Sequence, residues 1–125
     1  MLKIVLLFLA VVPGSFASST QQASPAAVDF SSSGNDFLRV CEQPLSEKGY
    51  FLDGACRAYI VGVSDGIAMM QKDAPLFCVP LDVDNNQKYS VVVKYLKDHP
   101  EKTHLQARRL ILEATVNAFP CAKGR

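Results

Sequence analysis

Apolar and polar positions along the chain fall into four helical repeats separated by turns rich in Pro, Gly or Ser. The longest covers residues 51–70, FLDGACRAYIVGVSDGIAMM, which holds no Pro and suffices for about five turns. Cys56, Ile60, Val63, Ile67 and Met70 follow the four–three alternation of an apolar helix stripe. Gly54, Ala58, Gly62 and Gly66 recur at every fourth residue and form a slowly winding ridge of near-bare backbone. Asp53, Arg57 and Ser64 occupy the polar strip that is left, with Asp53 four residues before Arg57, the better orientation for an intrahelical ion pair. An interior Gly costs about 1 kcal/mol relative to Ala. The ridge therefore predicts close packing, either of neighbouring helices or at a subunit interface. The run YIVGV is too short and too rich in small residues to argue for strands.

The other repeats are shorter. Asn35 is a good N-cap, Asp36 suits a first turn, and Phe37, Leu38, Val40 and Cys41 make a helix that stops before Pro44. Residues 46–49 then turn the chain into the central helix. Residues 72–84 contain two Pro; Leu76, Phe77, Val79 and Leu81 are costly to expose, which predicts a loop lying on the core and anchored by Cys78. Asp84 or Asn85 caps a third helix over 87–98, with Tyr89, Val92, Val93 and Leu96 as its stripe. The run YSVVVKYL has strand-like composition, but its stripe persists through three turns. Thr103 with Gln106 three residues later reads as a capping box opening a last helix to about Phe119. Ala107, Leu110, Ile111, Ala114 and Ala118 form its main apolar face. Leu105, Leu112, Val116 and Phe119 form a second face, suited to a sandwiched helix or an oligomer contact. The class expected is all-α: a small disulfide-stapled bundle of about four helices around a central helix at 50–70.

The first residues change the picture of where this domain works. Lys3, the apolar run 4–12, the Pro13-Gly14 break and the small residues Ser15 and Ala17 make a signal peptide, with cleavage expected after Ala17. The apolar run is too short to span a bilayer, and no Cys at the cut invites lipid attachment. Residues 18–34, rich in Ser, Ala and Gln, read as a flexible lead-in; 35–122 form the domain and 123–125 a tail. Lys3 is the one charge in the leader, so of 13 basic and 12 acidic residues in 125, 12 of each sign remain. A neutral domain argues against nucleic acid or an anionic membrane as partner.

Four cysteines in a small exported domain, Cys41, Cys56, Cys78 and Cys121, read as two disulfides. Three pairings satisfy the count. Tracing the helices up and down puts Cys41 and Cys56 at one end of the bundle and Cys78 and Cys121 at the other, which favours Cys41–Cys56 and Cys78–Cys121. The chemistry of catalysis is missing: the chain has no G-x-S-x-G, no H-E-x-x-H and no phosphate-binding glycine loop, and bridged cysteines supply no thiolate. His99 and His104 flank a Pro turn without further ligands. Asp82 and Asp84 resemble the start of a calcium loop that lacks its Gly and its closing Glu. The expectation is a binding protein that is not an enzyme, with no metal and no cofactor.

The order Cys56-x-x-Tyr59-Ile60-x-Gly62, then Tyr95-Leu96 before His99-Pro100, then Phe119-Pro120-Cys121 resembles the Rap/Tai immunity proteins that accompany type VI secretion amidase effectors. The resemblance covers roughly 35–121. It implies a periplasmic, all-helical homodimer that binds a peptidoglycan-cleaving amidase and blocks its active-site cleft with a protruding loop. The loop that fits here is 98–104: Asp98, His99, Pro100, Glu101, Lys102 and His104 are polar, stiffened by Pro and held between two helix ends, so little entropy is lost on binding. Leu105, Leu112 and Val116 on the second face of the last helix are the dimer candidates. The alternatives are a periplasmic acid-stress chaperone of the small disulfide-bonded type or a small envelope assembly protein. Acid-dependent monomerisation with suppression of aggregation separates the chaperone from the immunity protein.

Overall fold

The computed structural model describes residues 29–30, 32–44 and 46–122; the leader and the 123–125 tail lie outside them. The described residues fold into four helices, α1 (Gly34–Cys41), α2 (Glu47–Met70), α3 (Asn85–Asp98) and α4 (Ala107–Ala118), with a 3-10 turn at Pro100–Lys102. One isolated antiparallel bridge joins Ser33 to Gln106. All-α, small and disulfide-stapled, the domain is the bundle its periodicity predicts.

Each helix contributes its apolar stripe to one shared core. Phe37 and Cys41 come from α1, Cys56 and Ile60 from α2, Val92, Tyr95 and Leu96 from α3, and Ala107, Leu110, Ile111 and Ala114 from α4. Phe37, Ile60, Leu96, Leu110 and Ile111 are fully enclosed, each contributing about 1.5–3 kcal/mol by leaving water. Helix α4 touches all three other helices, as each of them does. Cys41 is bonded to Cys56 and Cys78 to Cys121. The first bridge is buried among the core residues. The second ties the 71–84 loop to the chain end, and the Cys78 amide also donates to the Phe119 carbonyl at 2.8 Å.

The helix starts differ from the sequence reading: α2 begins at Glu47, inside the expected 46–49 turn, and α3 at Asn85 rather than Gln87. Ser33, not Asn35, caps α1, its hydroxyl accepting from the Asp36 amide at 3.2 Å. Thr103 does not open α4, which begins four residues later at Ala107 after Gln106, with no side-chain cap. The reason is non-local. The chain before α1 lies along the chain before α4, so that the Ser32 carbonyl accepts from the Ala107 amide at 2.8 Å. The Gly34 and Asn35 amides donate to the carbonyls of Leu105 and Thr103, both at 2.9 Å. These contacts satisfy groups that a capping box would otherwise serve. Residues 29–30 and 32–34 thus join the domain they were expected to lead into, with Phe30 stacked on Tyr59 at 5.8 Å. At α3 the cap is Asp84, with Gln87 completing a reciprocal box. Helix α2 starts at Glu47 behind Ser46.

The glycine ridge is the larger correction. A Cβ built on Gly54, Gly62 or Gly66 meets nothing within 4 Å, and Ala58 between them is exposed. The ridge faces away from the bundle, so within one chain it packs nothing. Met70, read as the end of the buried stripe, is also outside. The Asp53–Arg57 pair forms through two contacts of 2.8 and 3.2 Å. Arg57 reaches on to Asn86 at 2.8 Å and lies 4.1 Å over the Tyr89 ring, which fastens α2 to α3. Of the loop residues expected on the core, Phe77 is buried while Leu76 and Leu81 are exposed.

Candidate functional site

The segment 98–104 begins where α3 runs out of helix. Pro100 has no amide hydrogen to continue the α-helical ladder, and the chain tightens into the 3-10 turn Pro100–Lys102. Its backbone is bonded at nearly every step. His99 donates to the Tyr95 carbonyl at 3.1 Å, Lys102 to His99 at 3.0 Å, Thr103 to Pro100 at 3.3 Å and Leu105 to Lys102 at 2.8 Å. The Thr103 hydroxyl, which the capping-box reading assigned to a helix start, donates instead to the Pro100 carbonyl at 2.9 Å. Thr103 itself is buried, and its carbonyl holds Asn35. The loop is therefore fixed from both sides, by α3 before it and by residues 32–35 beside it.

Side chains divide into those that hold the loop and those that face out. Lys102 Nζ lies 2.8 Å from the Tyr95 hydroxyl and 3.3 Å from Glu113 Oε2. Tyr95 donates to the same Glu113 oxygen at 3.1 Å, and Arg109 Nε donates to the other at 2.9 Å. Arg109 chiefly, then Tyr95 and Lys102, holds the Glu113 carboxyl below the usual carboxylate range. The Tyr95 hydroxyl and then Glu113 raise Lys102 above its ordinary value. Lys102 is thus engaged by α3 and α4. Asp98, Pro100, Glu101 and His104 are exposed. Asp98 pairs with Lys94 at 2.7 Å. His99, with its ring centroid 4.4 Å from that of Tyr95, meets Glu101 through Nδ1 at 3.1 Å. The Glu101 carboxyl is lowered by a hydrogen bond from its own backbone amide and then by His99.

The structure so leaves four of the six candidate side chains exposed, half-buries His99 against Tyr95 and turns Lys102 toward the scaffold. Beside that loop, Val91, Lys94, Tyr95, Asp98, Ala114, Asn117 and Ala118 line an open groove of about 230 Å³ between α3 and α4. Sequence reasoning missed Tyr95, Arg109 and Glu113 as the group that sets the loop. Arg109 and Glu113 stand four apart and were readable as a helical pair; the link from Glu113 to Lys102 crosses 11 residues with no local signal. Leu105, Leu112 and Val116 are each partly buried within the single chain. Leu105 packs on the core cluster.

All four cysteines are bridged, and no group of three or more His, Cys, Asp or Glu among the described residues could hold a metal ion. No described helix is long and apolar enough to cross a membrane.

A sequence model of the Rap1a immunity proteins matches residues 33–121, from the cap of α1 to the last cysteine. The chain belongs to that family. Neither the curated proteins nor the solved structures contain a match. Membership makes this an immunity protein, whose work is to bind a cognate secreted effector.

Proposed function

We propose that this member of the Rap1a immunity family acts in the periplasm. There it binds and inhibits a peptidoglycan-cleaving amidase delivered by type VI secretion, and the 98–104 edge enters the amidase's active-site cleft. The signal-like leader and the disulfides support the compartment. The Rap/Tai resemblance of the sequence supports the amidase.

The observation that carries the choice of surface is the loop's rigidity combined with its exposed polar groups. A turn whose backbone is already bonded loses little freedom when it enters a cleft. Asp98, His99, Glu101 and His104 then present carboxylate and imidazole groups to the polar lining of a hydrolase site.

The test is co-purification of the protein with an amidase-like exported toxin encoded beside it, followed by a peptidoglycan-hydrolysis assay. Stoichiometric inhibition that is lost on replacing His99 and Glu101 together is the expected result. Inhibition untouched by that double replacement removes the loop from the contact.

A further inference from the structure

The two bridges stand in different surroundings. Cys41 and Cys56 are buried among the core residues, whereas Cys78 is exposed and Cys121 half-buried. The stretch around Cys78 is irregular: residues 77–80 belong to no helix or turn, and Pro75 and Pro80 keep it from joining a helix. The Cys78 amide donates to the Phe119 carbonyl at 2.8 Å, but among the described residues nothing bonds the Cys78 carbonyl or the Val79 amide. Leu76 and Leu81, on either side of the cysteine, are exposed.

An exposed sulfur alone admits any small thiol. Uncovered leucines on both sides of it, with unpaired backbone beside it, are features that a protein partner can grip. We propose that residues 76–81 are the docking segment of a thiol–disulfide oxidoreductase of the two-cysteine class, which exchanges Cys78–Cys121 in the folded protein. The enzyme's thiolate attacks the Cys78 sulfur, the more exposed of the pair. A new S–S bond joins enzyme to Cys78, and the electron pair of the broken bond leaves on Cys121. The Cys121 sulfur lies 3.7 Å from the Pro75 carbonyl, so once protonated from water its S–H has an acceptor in place. The enzyme's second thiolate then attacks the enzyme-side sulfur of the mixed disulfide and releases Cys78. Two electrons and two protons have passed to the bridge, and the enzyme is left oxidised. In reverse, an oxidised enzyme forms the same mixed disulfide on Cys78, and Cys121 attacks it to close the bond.

The bundle survives this exchange because its core lies elsewhere. The shared core of the four helices includes no residue of 71–84, and the Cys41–Cys56 bridge within it stays closed. The loop itself keeps three holds when the bond opens: the buried Phe77 ring, the Cys78–Phe119 backbone bond and the Gln71 side-chain carbonyl, which accepts from the amides of Leu76 and Phe77. Opening therefore loosens 71–84 and the chain end without unfolding the domain. The exchange does not depend on the role of the 98–104 edge or on the identity of the effector.

The test mixes the folded, oxidised protein with a reduced two-cysteine oxidoreductase whose resolving cysteine is replaced by Ser, so that mixed disulfides persist. A covalent complex mapped by peptide mass spectrometry to Cys78, with Cys41–Cys56 still bonded, is the expected result. No complex, or one mapped to Cys121, Cys41 or Cys56, overturns the proposal. The double variant Leu76→Asp, Leu81→Asp separates docking from mere exposure. It should form the complex about tenfold more slowly and react with reduced glutathione at the wild-type rate. An unchanged rate with the enzyme, or an equal slowing with both thiols, overturns the docking segment. After the bridge is reduced, amide hydrogen exchange should quicken across 71–84 and stay slow within α1 and α4. Faster exchange across all four helices would mean that the bond opens only by unfolding, which also overturns the proposal.

Discussion

Lys102 Nζ rests 2.8 Å from the hydroxyl of Tyr95, so the lysine of the candidate binding loop is committed to the helix that precedes it. The consequence is a division of labour within six neighbouring residues. Glu101 is exposed and His99 half-buried against the Tyr95 ring, whereas Lys102 is tied to α3 and α4.

That division gives the first prediction. Replacing His99 and Glu101 together by Ala should weaken effector binding by about 10- to 100-fold, with the melting temperature within about 2 °C of wild type. Lys102→Met should weaken binding through loss of loop order, and amide hydrogen exchange across 98–104 should accelerate. Isothermal titration paired with exchange mass spectrometry separates the two. Unchanged exchange in Lys102→Met would show that the lysine contacts the effector directly.

Glycine substitutions should act in opposite directions at two sites. At Gly34 a Cβ would lie 2.5 Å from Leu110 Cδ1 and 3.1 Å from the Thr103 carbonyl oxygen. Gly34→Ala therefore forces the arm off the loop, at a cost of about 1–3 kcal/mol. Gly62→Ala meets nothing and should stabilise the monomer by up to about 1 kcal/mol. Urea unfolding at sub-micromolar protein concentration checks both signs.

The two disulfides should differ in reactivity and in worth. Cys41 and Cys56 are buried, and the Cys78 side of the second bridge is exposed, so limited reductant with alkylation should label Cys78 and Cys121 first. The loops they close span 15 and 43 residues. In the chain-entropy account these correspond to about 3 and about 4 kcal/mol. Removing the second bridge should therefore destabilise slightly more, as measured by denaturation of paired Cys→Ser variants.

Stability should be level through neutral pH. The Glu113, Glu101 and Asp36 carboxyls sit below their ordinary values in the fold. Their contribution is complete above the unfolded value near 4 and is lost as pH falls through the lower folded value. Lys102 is raised above 10.5, so its contribution is complete below that pH and is lost as pH climbs past the folded value. Melting temperatures from about pH 5.5 to 9.5 should form a plateau. A fall near pH 6 would contradict these assignments.

Much of this was legible along the chain because the deciding contacts are local or periodic. The stripe of α3 and its cap, expected at Asp84 or Asn85 and found at Asp84, were written within a few residues of one another. Up-and-down tracing placed Cys41 beside Cys56 and Cys78 beside Cys121, the same pairs the structure joins. What misled was the signature Thr103-x-x-Gln106, because the Thr103 hydroxyl is taken by Pro100 and α4 is completed by Ser32 from the other end of the domain. The glycine period revealed a face but not which way it looked. Periodicity fixes the angle between residues on a helix and is silent on the helix's rotation against its neighbours. For the site, the exposed edge was visible as a polar Pro turn, while its support by Glu113 needed two helices already docked.

The bridges have one more consequence, for how the molecule is made. Cys41–Cys56 and Cys78–Cys121 join first to second and third to fourth, neither nested nor crossed. A chain presented N-terminus first to an oxidant can therefore close each bond as its second cysteine arrives, and never has to reopen one. Closure in that order gives the native pairs directly. That suits a protein that must be ready before the toxin it answers.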